Sequence, residues 1–170
     1  AIARSCAAFS AAKSTPSSAA NSAANSGFAS PFLAAVFFAA AFLTGLASSF
    51  DTQLVQQSAR IAANEASASG INWTFSPMVD ISRDPRWGRV AEGAGEDPYL
   101  GSEMAKAMVF GYQGKDLSLN NTIMACVKHY AANNQETNRD FVDVQIDERT
   151  LREIYLPAFE ASVKEGKAYS

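Results

Sequence analysis

An α/β fold with parallel strands is what this chain predicts, and three observations predict it. Stretches of helical periodicity alternate with short apolar runs in the order helix, strand, helix, strand, helix. That order marks βαβ units, because parallel neighbours need a long crossover between them. A polar loop follows each apolar run, and a hydrophobic fraction of 48% suffices for a packed core.

The first helix is expected from Asp51 or Thr52, either of which can cap it. Its apolar face is Leu54, Val55, Ala59, Ile61, Ala62 and Ala66, and Gly70 stops it. Residues 71–76, Ile-Asn-Trp-Thr-Phe-Ser, read as a strand running into Pro77-Met78-Val79-Asp80. The polar stretch 81–96 has no helical spacing. Asp97 caps the second helix and Pro98 opens it, with Leu100, Met104, Ala107, Met108 and Gly111 on the buried face. Lys115 to Asn121 is a turn-rich connector. Residues 122–127 form a short buried strand that ends at Lys128-His129, with Cys126 read as an inert core residue. Asp147 caps a third helix with apolar positions Leu151, Ile154, Tyr155, Phe159 and Val163, which Pro157 should kink or interrupt and Gly166 should end.

Before residue 50 the character is different. Residues 1–50 hold 17 Ala, 10 Ser and two charges, Arg4 and Lys13. The apolar run Phe32–Leu43 is twelve residues long, short of the roughly 20 that span a bilayer. Widening it to Phe28–Ala47 reaches that length only by taking in Ser30, Pro31, Thr44 and Gly45. Three readings stay open for residues 1–44: a signal segment, a membrane anchor, or a frame-shifted region.

Composition removes several function classes. The net charge of −3 and pI near 5.1 argue against a nucleic-acid partner. Two cysteines exclude a disulfide scaffold, and a single histidine, His129, leaves no zinc spacing. Glycine-rich phosphate loops, Ser-centred nucleophile elbows and His-Glu-x-x-His motifs are absent from the sequence.

What remains is two polar groups at the ends of the two strands, which in a barrel of parallel strands share the active rim. One is the loop Arg83-Asp-Pro-Arg-Trp-Gly-Arg89. Within it Asp84 is expected to pair with Arg83 or Arg86, and Trp87 to fill the core. Each of the loop's three arginines offers a planar fork of donors that suits vicinal oxygens. The other is Lys128-His129. Adjacent side chains in a regular strand face opposite ways, so joint action requires the strand to end or bend there. For His129 a structural role and a functional one are both open. Glu96, Asp97, Asp147 and Glu148 sit at helix N-termini, where the macrodipole favours them. Glu136, Arg139 and Asp140 lie in the loop beyond His129.

Four motifs in order carry a family resemblance: Asn72-Trp-Thr-Phe-Ser-Pro-Met-Val-Asp80, Arg83-Asp-Pro-Arg-Trp-Gly-Arg89, Gly95-Glu-Asp-Pro-Tyr-Leu100 and Val127-Lys-His-Tyr-Ala-Ala-Asn-Asn134. Asp147 to Phe159 extends the match. Together they resemble glycoside hydrolase family 3, with the flavour of its β-glucosidases. The resemblance implies a partial, truncated (β/α)8 TIM-type barrel over residues 45–170, preceded by the Ala/Ser-rich non-matching segment 1–44. It implies a retaining exo-acting β-glycosidase that removes terminal non-reducing β-D-glucosyl residues, in a periplasmic or secreted setting. Arg89, Lys128 and His129 are then the substrate-binding residues, donating hydrogen bonds to hydroxyls of a β-glucoside or oligosaccharide. No cofactor or metal is implied. The family's nucleophilic aspartate is expected downstream of Ser170 and the acid/base carboxylate farther on, so this chain alone is expected to be inactive. Hydrolysis of a glycoside needs two carboxyl groups across the scissile bond, and no pair here declares itself. The alternative is a non-catalytic membrane-tethered or sugar-binding polypeptide.

Overall fold

The computed structural model describes residues 43–134, 138 and 141–170. The expectations for residues 1–42, including the Phe28–Ala47 anchor up to Phe42, and for Glu136, Arg139 and Asp140 fall outside the described residues. Among those described, no helix is long and apolar enough to cross a membrane.

Helix α1 (Leu43–Ala47) leads into α2 (Thr52–Ala68), and α3 (Pro98–Gln113) follows the loop region. A short helical turn, α4 (Glu148–Thr150), widens into a π-helical turn (Leu151–Tyr155) before α5 (Pro157–Lys164). Three aspartates start three of these helices in the same way. Asp51, Asp97 and Asp147 each accept from the backbone N–H three residues on, at 2.9, 2.6 and 2.9 Å. Each satisfies a donor that the first turn leaves without an intrahelical partner.

The two apolar runs pair in parallel, as their order predicts, but form no continuous ladder. Trp73 lies opposite Met124 and Met78 opposite Lys128. Five steps along the first segment thus match four along the second. Met124 N–H donates to Asn72 O at 2.8 Å and Thr74 N–H to Met124 O at 3.0 Å. At the far end Lys128 N–H donates to Pro77 O at 3.1 Å and Val79 N–H to Lys128 O at 2.8 Å. Pro77, between these bridges, has no N–H to offer, so the ladder breaks there and the register slips by one. Val127 N–H donates to Ser170 O at 2.9 Å, which brings the C-terminal residues alongside the second segment.

Helix α3 is the spine of the packing, lying between α2 and α5. Val55, Ala59, Ala62, Ala63 and Ala66 of α2 meet Met104, Ala107, Met108 and Tyr112 of α3 over Ile123 and Ala125. On its other side α3 contributes Ala105 to a smaller cluster with Val79, Ala158 and Phe159. Small residues set the α2–α3 distance. A Cβ placed on Gly111 would stand 2.5 Å from both the Ala59 Cβ and the Gln56 carbonyl oxygen. Gln113, buried at the end of α3, donates to Lys167 O at 2.9 Å. Its carbonyl oxygen accepts from Ala125 N–H at 3.4 Å and Tyr169 N–H at 3.3 Å. One side chain therefore joins the helix, the second segment and the C-terminal residues.

Several expectations are corrected. Leu54 and Ile61, assigned to the buried face of the first helix, are exposed, as is Val163 of α5. The stripe facing α3 runs through Val55, Ala59, Ala62 and Ala66, and Leu54 and Ile61 lie off it. Of the two outcomes expected at Pro157, the third helix is interrupted there and not merely kinked. The turn before Pro157 is widened, with Leu156 N–H bonded to Leu151 O at 3.0 Å, and Pro157 opens α5, where its missing N–H costs nothing. Cys126 is half-buried and has its free thiol. In the first segment Thr74 and Ser76 are buried while Trp73 and Phe75 are exposed, stacked edge to face at 4.7 Å.

Two glycine substitutions in one helix test the packing. Gly111→Ala should destabilise the fold by about 1–3 kcal/mol through overpacking. Gly101→Ala meets nothing within 4 Å and should gain up to about 1 kcal/mol of helix propensity. Urea unfolding midpoints should therefore move in opposite directions, and a shift in the same direction would contradict the close α2–α3 approach.

Candidate functional site

The parallel pairing brings the C-terminal ends of both segments together, and a connected group of side chains collects there. Asp80 ends the first segment, His129 the second. One Asp80 carboxylate oxygen, Oδ2, accepts from the His129 backbone N–H at 3.0 Å and stands 2.7 Å from its ring Nδ1. The Asp80 side chain is only 2% exposed. Burying a carboxylate is tolerable only with such partners.

Arg89 reaches the same place from the loop. Its Nη1 lies 3.2 Å from His129 Nε2. Along its other edge Nε and Nη2 donate to the two carboxylate oxygens of Glu92, at 2.8 and 2.7 Å, in a bidentate fork. Glu92 closes a short 3-10 turn, Val90–Glu92, which places it three residues from Arg89. The turn is held against the rest of the fold by α1. The Thr44 hydroxyl is 2.7 Å from Val90 O and 2.6 Å from Gly93 O. Gly93 lies so close to the first segment that a Cβ there would stand 3.1 Å from Asp80 O.

Lys128 completes the group. It is half-buried, and its pKa lies below the usual lysine value because burial disfavours the charged amine. Repulsion from Arg89 adds to this, and attraction to Glu92, Cys126 and Asp80 opposes it. Glu92 moves below the ordinary carboxylate range, chiefly through its hydrogen bonds with Arg89 and further through attraction to Arg89, Lys128 and His129, against a burial cost. Above the site Asn134 donates to Ile81 O at 3.2 Å, and its Nδ2 lies 3.3 Å from the Tyr155 hydroxyl.

Arg89, Lys128 and His129 are therefore brought together, as their positions at strand ends predict. Elsewhere in the arginine loop Arg86 pairs with Asp84 at 2.6 Å, Trp87 is buried and Arg83 is exposed. The Arg86 guanidinium holds the Asp84 carboxyl down to about 2. Two members of the cluster went unassigned in the sequence: Asp80, read only as the end of a strand motif, and Glu92. A signal for both existed. Asp80 and His129 end two segments expected to run in parallel, and Glu92 sits at a spacing from Arg89 that pairs opposite charges on a helical turn.

Residues 27–169 match the profile of the glycosyl hydrolase family 3 N-terminal domain. A periplasmic β-glucosidase of Salmonella typhimurium is 43% identical over 123 residues, 72% of this chain and 16% of its own length. A thermostable β-glucosidase B of Acetivibrio thermocellus is 42% identical over 125 residues, 74% of this chain and again 16% of its own. Among solved structures, a mutant β-glucosidase from Listeria innocua in complex with laminaribiose superposes with a TM-score of 0.67 at 44% identity, covering 75% of this chain and 18% of that one. The same enzyme in complex with glucose gives 0.66 at 43%. The chain thus spans under a fifth of the length of these relatives, and the likeness supports an α/β fold of the TIM type. A profile match over most of the sequence, with relatives above 40% identity, settles the family: the chain belongs to glycosyl hydrolase family 3, within its N-terminal domain.

Proposed function

We propose that residues 45–170 are part of the (β/α)8-type barrel of a retaining exo-β-glycosidase, β-glucosidase-like, acting on terminal non-reducing β-D-glucosyl residues. The single observation that carries this is the convergence of Arg89, Lys128 and His129 at the C-terminal ends of two parallel segments, where a barrel keeps its active rim. The names of the relatives support the substrate class, and the name of the Salmonella relative supports a periplasmic placement.

In this reading the three residues hold hydroxyls of the terminal sugar. Contacts that tighten as the ring distorts stabilise the oxocarbenium-like transition state. They perform no proton transfer. Hydrolysis with retention needs a carboxylate to attack the anomeric carbon and a carboxylic acid to protonate the leaving oxygen. The two carboxylates of this cluster suit neither task. Asp80 is buried against His129, and both oxygens of Glu92 are engaged by Arg89. As the family resemblance implies, the reacting carboxyl groups are taken to lie in other parts of the enzyme, and on this reading the 170-residue chain by itself binds sugar without turning it over.

Calorimetric titration with glucose, beside an assay on an aryl β-glucoside, checks this directly. Binding without turnover is expected, whereas turnover by the purified chain would contradict the assignment and absent binding would remove the sugar site. In an enzyme that carries this segment within its whole barrel, Lys128→Ala should lower kcat/KM about 10- to 100-fold, the loss of a charge-assisted hydrogen bond. An unchanged value would take Lys128 out of the site.

Acid sensitivity follows from Glu92. Its pKa is lower in the fold than in the unfolded chain, so the Arg89–Glu92 pair contributes fully above the unfolded value of about 4.3. That contribution is lost as pH falls through the lower, folded value. Below about pH 4 glucose binding should weaken and stability fall, and Glu92→Gln should remove this part of the pH dependence. A Glu92→Gln profile that overlays the wild type would contradict it.

A further inference from the structure

His129 is the one histidine of the chain, and its two ring nitrogens face partners of opposite character. A guanidinium has only donors. Arg89 Nη1, 3.2 Å away, can therefore bond His129 Nε2 only if that nitrogen is bare. The ring hydrogen is then on Nδ1, and it points at Asp80 Oδ2 at 2.7 Å. The backbone N–H of the same histidine donates to the same oxygen, so the ring is fixed at both its root and its edge. Glu92 completes the line by turning the Arg89 fork so that Nη1 faces the ring.

We propose that Asp80 is a positioning residue that locks His129 as the Nδ1–H tautomer, so that the imidazole offers the site an acceptor rather than a donor. This changes what the cluster recognises. Arg89 presents an N–H and His129, beside it, a bare nitrogen. A hydroxyl that inserts between them, displacing the Arg89–His129 contact, answers both, its oxygen accepting from Arg89 while its own hydrogen goes to Nε2. A methyl ether or a fluorine in the same place has no hydrogen to give. The preference for a free hydroxyl thus originates in a carboxylate that never meets the ligand. It rests on the sugar-site reading for the identity of the ligand, while the tautomer stands on the geometry alone.

Long-range proton–nitrogen correlation spectra of the whole chain, taken at about pH 8 where an ordinary imidazole is neutral, read the two ring nitrogens of the lone histidine without overlap. The expected result is a protonated nitrogen at Nδ1 and a bare one at Nε2. Asp80→Ala should move the hydrogen to Nε2 or let it exchange between the two. Because that variant can also lose its fold, the wild-type spectrum is decisive alone: a hydrogen on Nε2, or an even mixture, overturns the proposal. Glu92→Gln is the companion variant and should leave Nδ1 protonated, since it acts on Arg89 and not on the ring. Adding glucose then separates the two readings. A shift at Nε2 with Nδ1 still protonated supports both. A silent Nε2 with Nδ1 protonated removes the sugar and leaves the tautomer standing.

Discussion

The site depends on one constraint, that two extended segments stay parallel until their last residues. Asp80 and His129 meet only because the first segment ends where the second does. Were the pairing one residue out of place, side-chain alternation would turn the imidazole to the other face. The slip at Pro77 matters for that reason. The register in which Trp73 faces Met124 is not the register in which Met78 faces Lys128, and only the second one puts the carboxylate against the ring. The two hydrogen bonds from His129 to Asp80 fasten the pair at its open end, where the backbone ladder stops.

The helices keep that register from drifting. Helix α3 lies close against α2 through Gly111 and Ala59, and close against the first segment through the buried Tyr112 hydroxyl, 3.1 Å from Ser76 Oγ. Gln113 then ties its C-terminal end to the second segment. A helix fixed to both segments sets their relative height, and the polar cluster inherits its geometry from an apolar core with small residues at the crossing. The loop with Arg89 is attached separately, by Thr44 of α1 and by Gly93 against Asp80. Three pieces of chain distant in sequence thus meet at one end of the paired segments.

Much of this was legible beforehand because it is written in local chemistry. The caps at Asp51, Asp97 and Asp147 follow from side-chain oxygens placed ahead of helical runs, and all three bonds form. The order of elements is enough for parallel pairing. Arg89, Lys128 and His129 were singled out by the family resemblance, with which their place at or near strand ends agrees. Glu92 escaped notice despite its local spacing from Arg89, whereas Asp80 depends on distance across the fold. Asp80 and His129 are 49 residues apart, and no local pattern states that their segments end side by side. Leu54 and Ile61 look buried because helical periodicity marks an apolar stripe but cannot say how wide the partner helix is.

The site stands on the parallel pair reaching its end with His129 bonded to Asp80, and native-state amide hydrogen exchange tests that residue by residue. The amides of Thr74, Val79, Met124, Cys126, Lys128 and His129 all donate within this pair. They should exchange together and slowly, near the limit set by unfolding of the fold. If Val79, Lys128 and His129 instead exchange as fast as the turn at residues 115–121 while the helical amides stay protected, the segments part before their ends and the site is not assembled.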